Sequence, residues 1–284
     1  MSRSEFENLE DANRALSERF HGSLDAISST ASTPVERAQD LAYRAFEARG
    51  RRRIQLARKA LELSRDCADA WVILGERAPD LERAMELYAE GVSAGERALG
   101  TDTFAQEEGH FWDRVERRPY MRARCALAQT LEELGRRDEA LDHYRHLLRL
   151  NPNDNQGVRD LMLPLLVVAG RDDEALTLVD QFADDPSAVL RYGRALVTYR
   201  REGESAAAAA RLREALHSNR RVAKYLHGAA PFPAQDPETY AFGSEEEAVI
   251  AARTLAEAWR STPGAAAWLA IAAEGRGGGK KRRR

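Results

Sequence analysis

The residues best suited to chemistry fall in one stretch, GERALGTDTFAQEEGHFWDRVERRPY, residues 95–120. It sets Glu107 and Glu108 beside His110, then Trp112, Arg117, Arg118 and Tyr120. A carboxylate next to an imidazole is a minimal set for moving a proton. No nucleophile elbow, phosphate-cradling glycine loop or metal triad accompanies it. A plainer reading is that Phe111, Trp112 and Tyr120 anchor the segment on neighbouring helices while its charges face water. A ligand or peptide site here would use Glu108, His110, Trp112, Arg118 and Tyr120.

Two further constellations are weaker. His143 and His146 stand three apart and could share a metal with Glu139 or Asp142. They flank Tyr144, which should point inward, and neither an HExxH motif nor a third ligand is evident. The run NPNDNQG, residues 151–157, superficially resembles a calcium loop but lacks the twelve-residue spacing and terminal Glu of an EF-hand. Pro152 there ends one helix, and Asp154 or Asn155 caps the next. No catalytic residue, metal or cofactor is assigned, and the chain reads as a non-enzyme.

The elements that must position these residues are helical. From Met121 to Asp154, apolar residues recur at helical spacing: Leu127, Leu131 and Leu134, then Ala140, Leu141, Tyr144, Leu147 and Leu148. Gly135 breaks the pattern and Pro152 stops it. The stretch resembles a tetratricopeptide repeat, with Leu127, Ala128, Ala140, Tyr144 and Pro152 at signature positions. Similar helix pairs are expected at 34–49 with 51–64, from Ala68 with 80–94, at 155–169 with 172–183, and at 187–202 with 205–218. Thr33 caps the first of these ahead of Pro34, and Gly75 permits a close helix approach. Helices 244–260 and 263–273 follow, the first with Ser244 and Glu247 as a capping box.

The expected fold is all-α, an α-solenoid of tetratricopeptide-like helix-turn-helix repeats with an inserted aromatic segment and a C-terminal capping helix pair. A preface and linker occupy 1–33. The repeat domain covers 34–273, with the insert at 95–120 and a bent, proline-bearing connector at 220–243. A basic tail, 274–284, is too glycine-rich and charged to fold alone.

Short blocks narrow the resemblance further. ELSRDCADAW, AGERALG, EEGHFW, RRPYMRARCALAQTL and LNPNDNQGVR are together similar to the suppression-of-tumorigenicity protein seven family and its soluble bacterial relatives, over roughly Ala45 to Leu269. That resemblance implies a helical repeat domain without an established catalytic activity. The animal members are membrane-anchored, but this chain shows no long apolar run.

Tetratricopeptide resemblance also implies a groove lined by the first helix of each pair, here by Arg122, Gln129 and Glu133, then Gln156 and Arg159. Arginines there could grip a carboxylate. The chaperone-tail clamp of that superfamily is not kept: Val72, Glu76, Ala126, Gln156 and Asp160 stand at the corresponding positions.

Net charge of -3 does not mark a nucleic-acid binder, although the KKRRR tail could touch RNA or DNA. Two separated cysteines, Cys67 and Cys125, argue against a disulfide framework and suit a reducing compartment. The N-terminus lacks the apolar core of a signal peptide. The expectation is a cytoplasmic scaffold that binds a protein or peptide partner, with no membrane contact.

Overall fold

The computed structural model describes residues 33–275. The readings of the preface and of the basic tail fall almost wholly outside the described residues. Among the described residues all regular structure is helical: fourteen α-helices, two 3-10 turns and no strand. The fold class is therefore the all-α repeat class that the periodicity implies. The chain divides into two compact units, Met1–Arg136 with Arg149–Asn151, and Arg137–Leu148 with Pro152–Arg284.

Unit 1 begins with the hairpin α1 (Pro34–Glu47) and α2 (Gly50–Leu63), followed by α3 (Ala68–Gly75) and α4 (Leu81–Leu99). Thr33 and Glu36 form a reciprocal capping box: Glu36 N–H donates to Thr33 Oγ1 at 3.2 Å, and Thr33 N–H to Glu36 Oε2 at 2.8 Å. Asp80 caps α4 by accepting from Arg83 N–H at 2.8 Å. The insert then forms α5 (Thr101–Gln106) and 3-10 turns at Phe111–Asp113 and Val115–Arg117, before α6 (Arg118–Glu133).

Helix α4 outruns the expected end at residue 94, passing through Gly91 and Gly95 without breaking. Both glycines are contact points. A Cβ on Gly91 would lie 3.2 Å from those of Trp71 and Ala123, and one on Gly95 would lie 2.8 Å from that of Tyr120. Missing side chains let α6 approach closely, so the insert starts at Gly100.

Gly75 plays the close-approach part its position suggests, since a Cβ there would overlap the Tyr88 ring on α4. Gly75→Ala is expected to lower unit 1 stability by about 1–3 kcal/mol through overpacking. The Gly75→Ala/Tyr88→Leu double variant should recover part of the loss. Urea unfolding of the three chains checks this, and an unchanged Gly75→Ala midpoint would refute it.

Unit 2 holds most of α7 (Arg137–Leu150), then α8 (Val158–Val168), α9 (Asp172–Gln181), α10 (Ala188–Glu202), α11 (Ala206–Ser218), the short α12 (Arg221–Leu226), α13 (Glu245–Arg260) and α14 (Ala265–Gly275). Asp154, in left-handed backbone at φ 48°, accepts from Val158 N–H and Arg159 N–H, each at 2.8 Å. It thereby opens α8 as the loop reading requires.

Only half of the expected Ser244 capping box forms. Glu247 N–H donates to Ser244 Oγ at 3.1 Å. The Glu247 carboxylate, nearly buried, does not return the bond. It accepts from Gly243 N–H at 2.7 Å, Asn219 Nδ2 at 2.9 Å and Ala188 N–H at 3.0 Å. One charge thus ties together the end of the connector, the end of α11 and the start of α10.

The last two helices do more than end the array. Helix α13 packs on α8 and on α10, the first helices of two consecutive hairpins. Trp259 of α13 meets Tyr192 of α10 edge-on at 6.3 Å, and Trp268 of α14 stacks on Tyr199 of α10 at 4.6 Å. The first-helix face of unit 2, which the repeat pattern assigns to a groove, is covered there by the chain's own α13.

Candidate functional site

The insert packs as its aromatic spacing implies. Phe104, Phe111 and Tyr120 cluster at centroid separations of 5.0 to 6.1 Å, with Phe111 and Tyr120 fully buried. Burial pushes the Tyr120 hydroxyl up to about 12, with Arg124 opposing. Trp112 is half-buried beneath Arg118, whose guanidinium lies 4.8 Å from the ring and whose Nε donates to Trp112 O at 3.1 Å. Arg117, nearly buried, holds Glu107 and covers Phe111 at 5.3 Å.

The proton-moving pair does not assemble. His110 is exposed and meets Asp113, Nδ1 to Oδ2 at 3.2 Å, rather than Glu108. Glu108 instead faces Arg149 at 3.4 Å on the surface. The geometry gives neither carboxylate nor imidazole a shielded place to act. His143 and His146 are both half-buried around the buried Tyr144. No cluster of three or more His, Cys, Asp or Glu able to hold a metal occurs among the described residues.

Within unit 1, Arg122 lies in the hydrogen-bonded centre of the unit. Its Nε and Nη2 donate to Asp69 Oδ1 and Oδ2 at 2.8 and 2.6 Å, and Asp69 is completely buried. Gln39 Nε2 donates to the same carboxylate at 2.6 Å, and the Arg122 guanidinium sits 5.8 Å from the Phe46 ring. Helices α1, α3 and α6 are joined through this one ion pair. Cys67, buried next to it, has its thiol pushed up to about 12 by burial, which makes it inert. Gln129 and Glu133, one turn apart on α6, are exposed.

Within unit 2, Arg159 is likewise committed. It donates to Asp154 Oδ2 at 3.0 Å and to Asp185 Oδ2 at 2.6 Å, and lies 5.1 Å from the Phe182 ring. Gln156 is half-buried, with its Oε1 shielded and unbonded. Both arginines read from the sequence as groove cations therefore already hold internal carboxylates, which sequence spacing does not reveal.

What the sequence reading passed over is the end of the connector. Tyr240 and Phe242 are 46% and 64% exposed, with ring centroids 6.2 Å apart. The backbone beside them is fixed: Gly243 N–H donates to Glu247, and its carbonyl accepts from Arg221 at 2.9 Å. Two aromatics held out on an anchored loop were detectable as the YAF run between Pro237 and the Ser244 cap.

No helix among the described residues is long and apolar enough to cross a membrane. Comparison with curated proteins gives no match. Among solved structures the chain is similar to YrrB, described as a TPR protein with an unusual peptide-binding site. The identity is 19% and the TM-score 0.48, over 68% of this chain and 90% of that one. A family model described as ST7 protein matches residues 7–271, which bears out the resemblance read from the short blocks, and the chain belongs to that family.

Proposed function

We propose that the chain is a non-catalytic helical-repeat scaffold that holds a protein or peptide partner. The observation that carries this reading is the exposed pair Tyr240 and Phe242 on an anchored backbone. Aromatic side chains in water cost free energy that a partner's surface recovers, and rigid aromatics supply much of the energy at protein interfaces. The hairpins provide the framework that holds such a loop still.

A photo-crosslinking residue at Phe242 tests this, with the same residue at the exposed Glu204 as control. The expected result in native-host extract is a discrete protein adduct at position 242 that is absent at 204. Tyr240→Ala/Phe242→Ala should weaken capture of that protein at least tenfold. Equal adducts at both positions, or none at 242, would count against the scaffold reading.

A further inference from the structure

Unit 2 contains an open cavity of about 650 Å³ between the start of α10, the last turns of α11 and the end of the connector. Arg191, Arg213, His217 and Ser218 line its polar side, and Pro186 and Phe242 its apolar side. That volume lies in the range of ordinary ligand pockets.

Most arginines of this unit hold carboxylates. On α10, Arg194 holds Asp180, Arg200 holds Asp172 and Arg201 holds Asp173, at 2.5 to 2.7 Å. Arg145, Arg159, Arg171 and Arg253 also hold carboxylates. Arg191 and Arg213 hold none among the described residues, and the two share one cavity. Arg191 Nε is shielded from water and has no acceptor. A half-buried guanidinium in that condition is incompletely solvated, and an oxyanion on its open side would compensate it. The one carboxylate in the lining, Glu214, lies 3.1 Å from Arg211.

We infer that this cavity binds a carboxylate of an acidic peptide segment, with a neighbouring apolar side chain of that segment resting on Phe242. The inference rests on the scaffold reading and names the chemistry of its partner. The fork of one guanidinium matches a carboxylate, and a second guanidinium in the same cavity adds favourable charge. A nucleic acid would call for a basic stripe following its backbone, whereas the neighbouring arginines on α10 are already neutralised. The carboxylate could belong to an Asp or Glu side chain or to a chain terminus.

Rhodamine-labelled dodecapeptides and the full chain separate these sources by fluorescence polarisation. One peptide carries internal Asp-Phe-Glu and an amidated end. A second carries Asn-Phe-Gln and a free terminal carboxylate. A third is Asn-Phe-Gln with an amidated end. At least one carboxylate peptide should bind at least tenfold tighter than the third. Arg191→Gln/Arg213→Gln should remove that advantage, while Arg194→Gln/Arg201→Gln, an equal loss of charge outside the cavity, should not.

Thermal melts of the double variant should match or exceed the parent, because no internal partner is lost. A lower melting temperature would assign these arginines a structural role and overturn the inference. So would equal binding of all three peptides, or displacement by inorganic phosphate as effective as by the peptide itself. The crosslink at position 242 separates the two levels. An adduct whose yield is unaffected by Arg191→Gln/Arg213→Gln removes the cavity but leaves the scaffold. The absence of any adduct from the parent chain removes the scaffold.

Discussion

Arg122→Met is expected to destabilise unit 1 by about 3–5 kcal/mol, the usual cost of stranding one member of a buried ion pair. The variant leaves the Asp69 carboxylate, which is fully buried, with Gln39 Nε2 as its remaining side-chain donor at 2.6 Å. A methionine fills much of the volume, so the loss is electrostatic more than steric. Adding Asp69→Asn should restore a large part of the stability, because a neutral amide no longer needs a counter-ion and can still bond Gln39. Trp71, buried two residues from Asp69 with its Nε1 donating to Arg65 O at 2.9 Å, reports unfolding of this region by fluorescence. If Arg122→Met unfolded at the parent's urea concentration, Arg122 would not be the hub of the unit. Its charge would then be available to a ligand, as its repeat position first suggests. The same experiment warns against reading lost partner binding in an Arg122 variant as evidence for a groove.

That ion pair shows where the sequence stops being informative. Periodicity placed the helices well, because an apolar stripe at helical spacing declares both the element and its buried face. Caps were readable for the same local reason: Thr33 before α1, Asp154 (read with Asn155 as the alternative) before α8 and Ser244 before α13 all act within a few residues. Gly75 was legible as a close approach, whereas Gly95 was read as the start of the insert. Glycine serves both purposes, and only the neighbour across the interface decides. Asp69 and Arg122 are 53 residues apart, and no local pattern joins them. The covering of α8 and α10 by α13 was hidden too, since an apolar face states that it is buried without stating by what. Phe111 and Tyr120 anchor the insert as read, but their partner is Phe104, Trp112 is half-buried, and Arg117 is buried where the charges were expected to face water. The exposed connector aromatics were passed over because prolines there suggested only a bend.

Asp160→Asn is expected to stabilise unit 2 by about 3 kcal/mol at pH 7.5 and to change it little near pH 4. Burial pushes the Asp160 carboxyl up to about 6, with Asp185 and Asp154 adding to the effect and Arg159 opposing it. Arg159 gives its hydrogen bonds to Asp154 and Asp185, so Asp160 Oδ1 is left shielded from water and unbonded. The Tyr240 hydroxyl is raised by partial burial and then by the charge of Asp160. The carboxyl titrates near 4 in the unfolded chain and near 6 in the folded one, so between those values the folded state binds the extra proton. The contribution of Asp160 should therefore be fullest below pH 4, fall as the pH rises from about 4 to 6, and then level off. An asparagine never ionises and should remove that fall. Thermal melts at half-unit steps from pH 4 to 8, followed through Trp259 and Trp268, give the difference between the two chains at each pH. A difference that stays constant across the range would show that Asp160 keeps an ordinary carboxyl. A difference growing through pH 5 would show that one guanidinium, Arg159, serves three carboxylates and fully satisfies two.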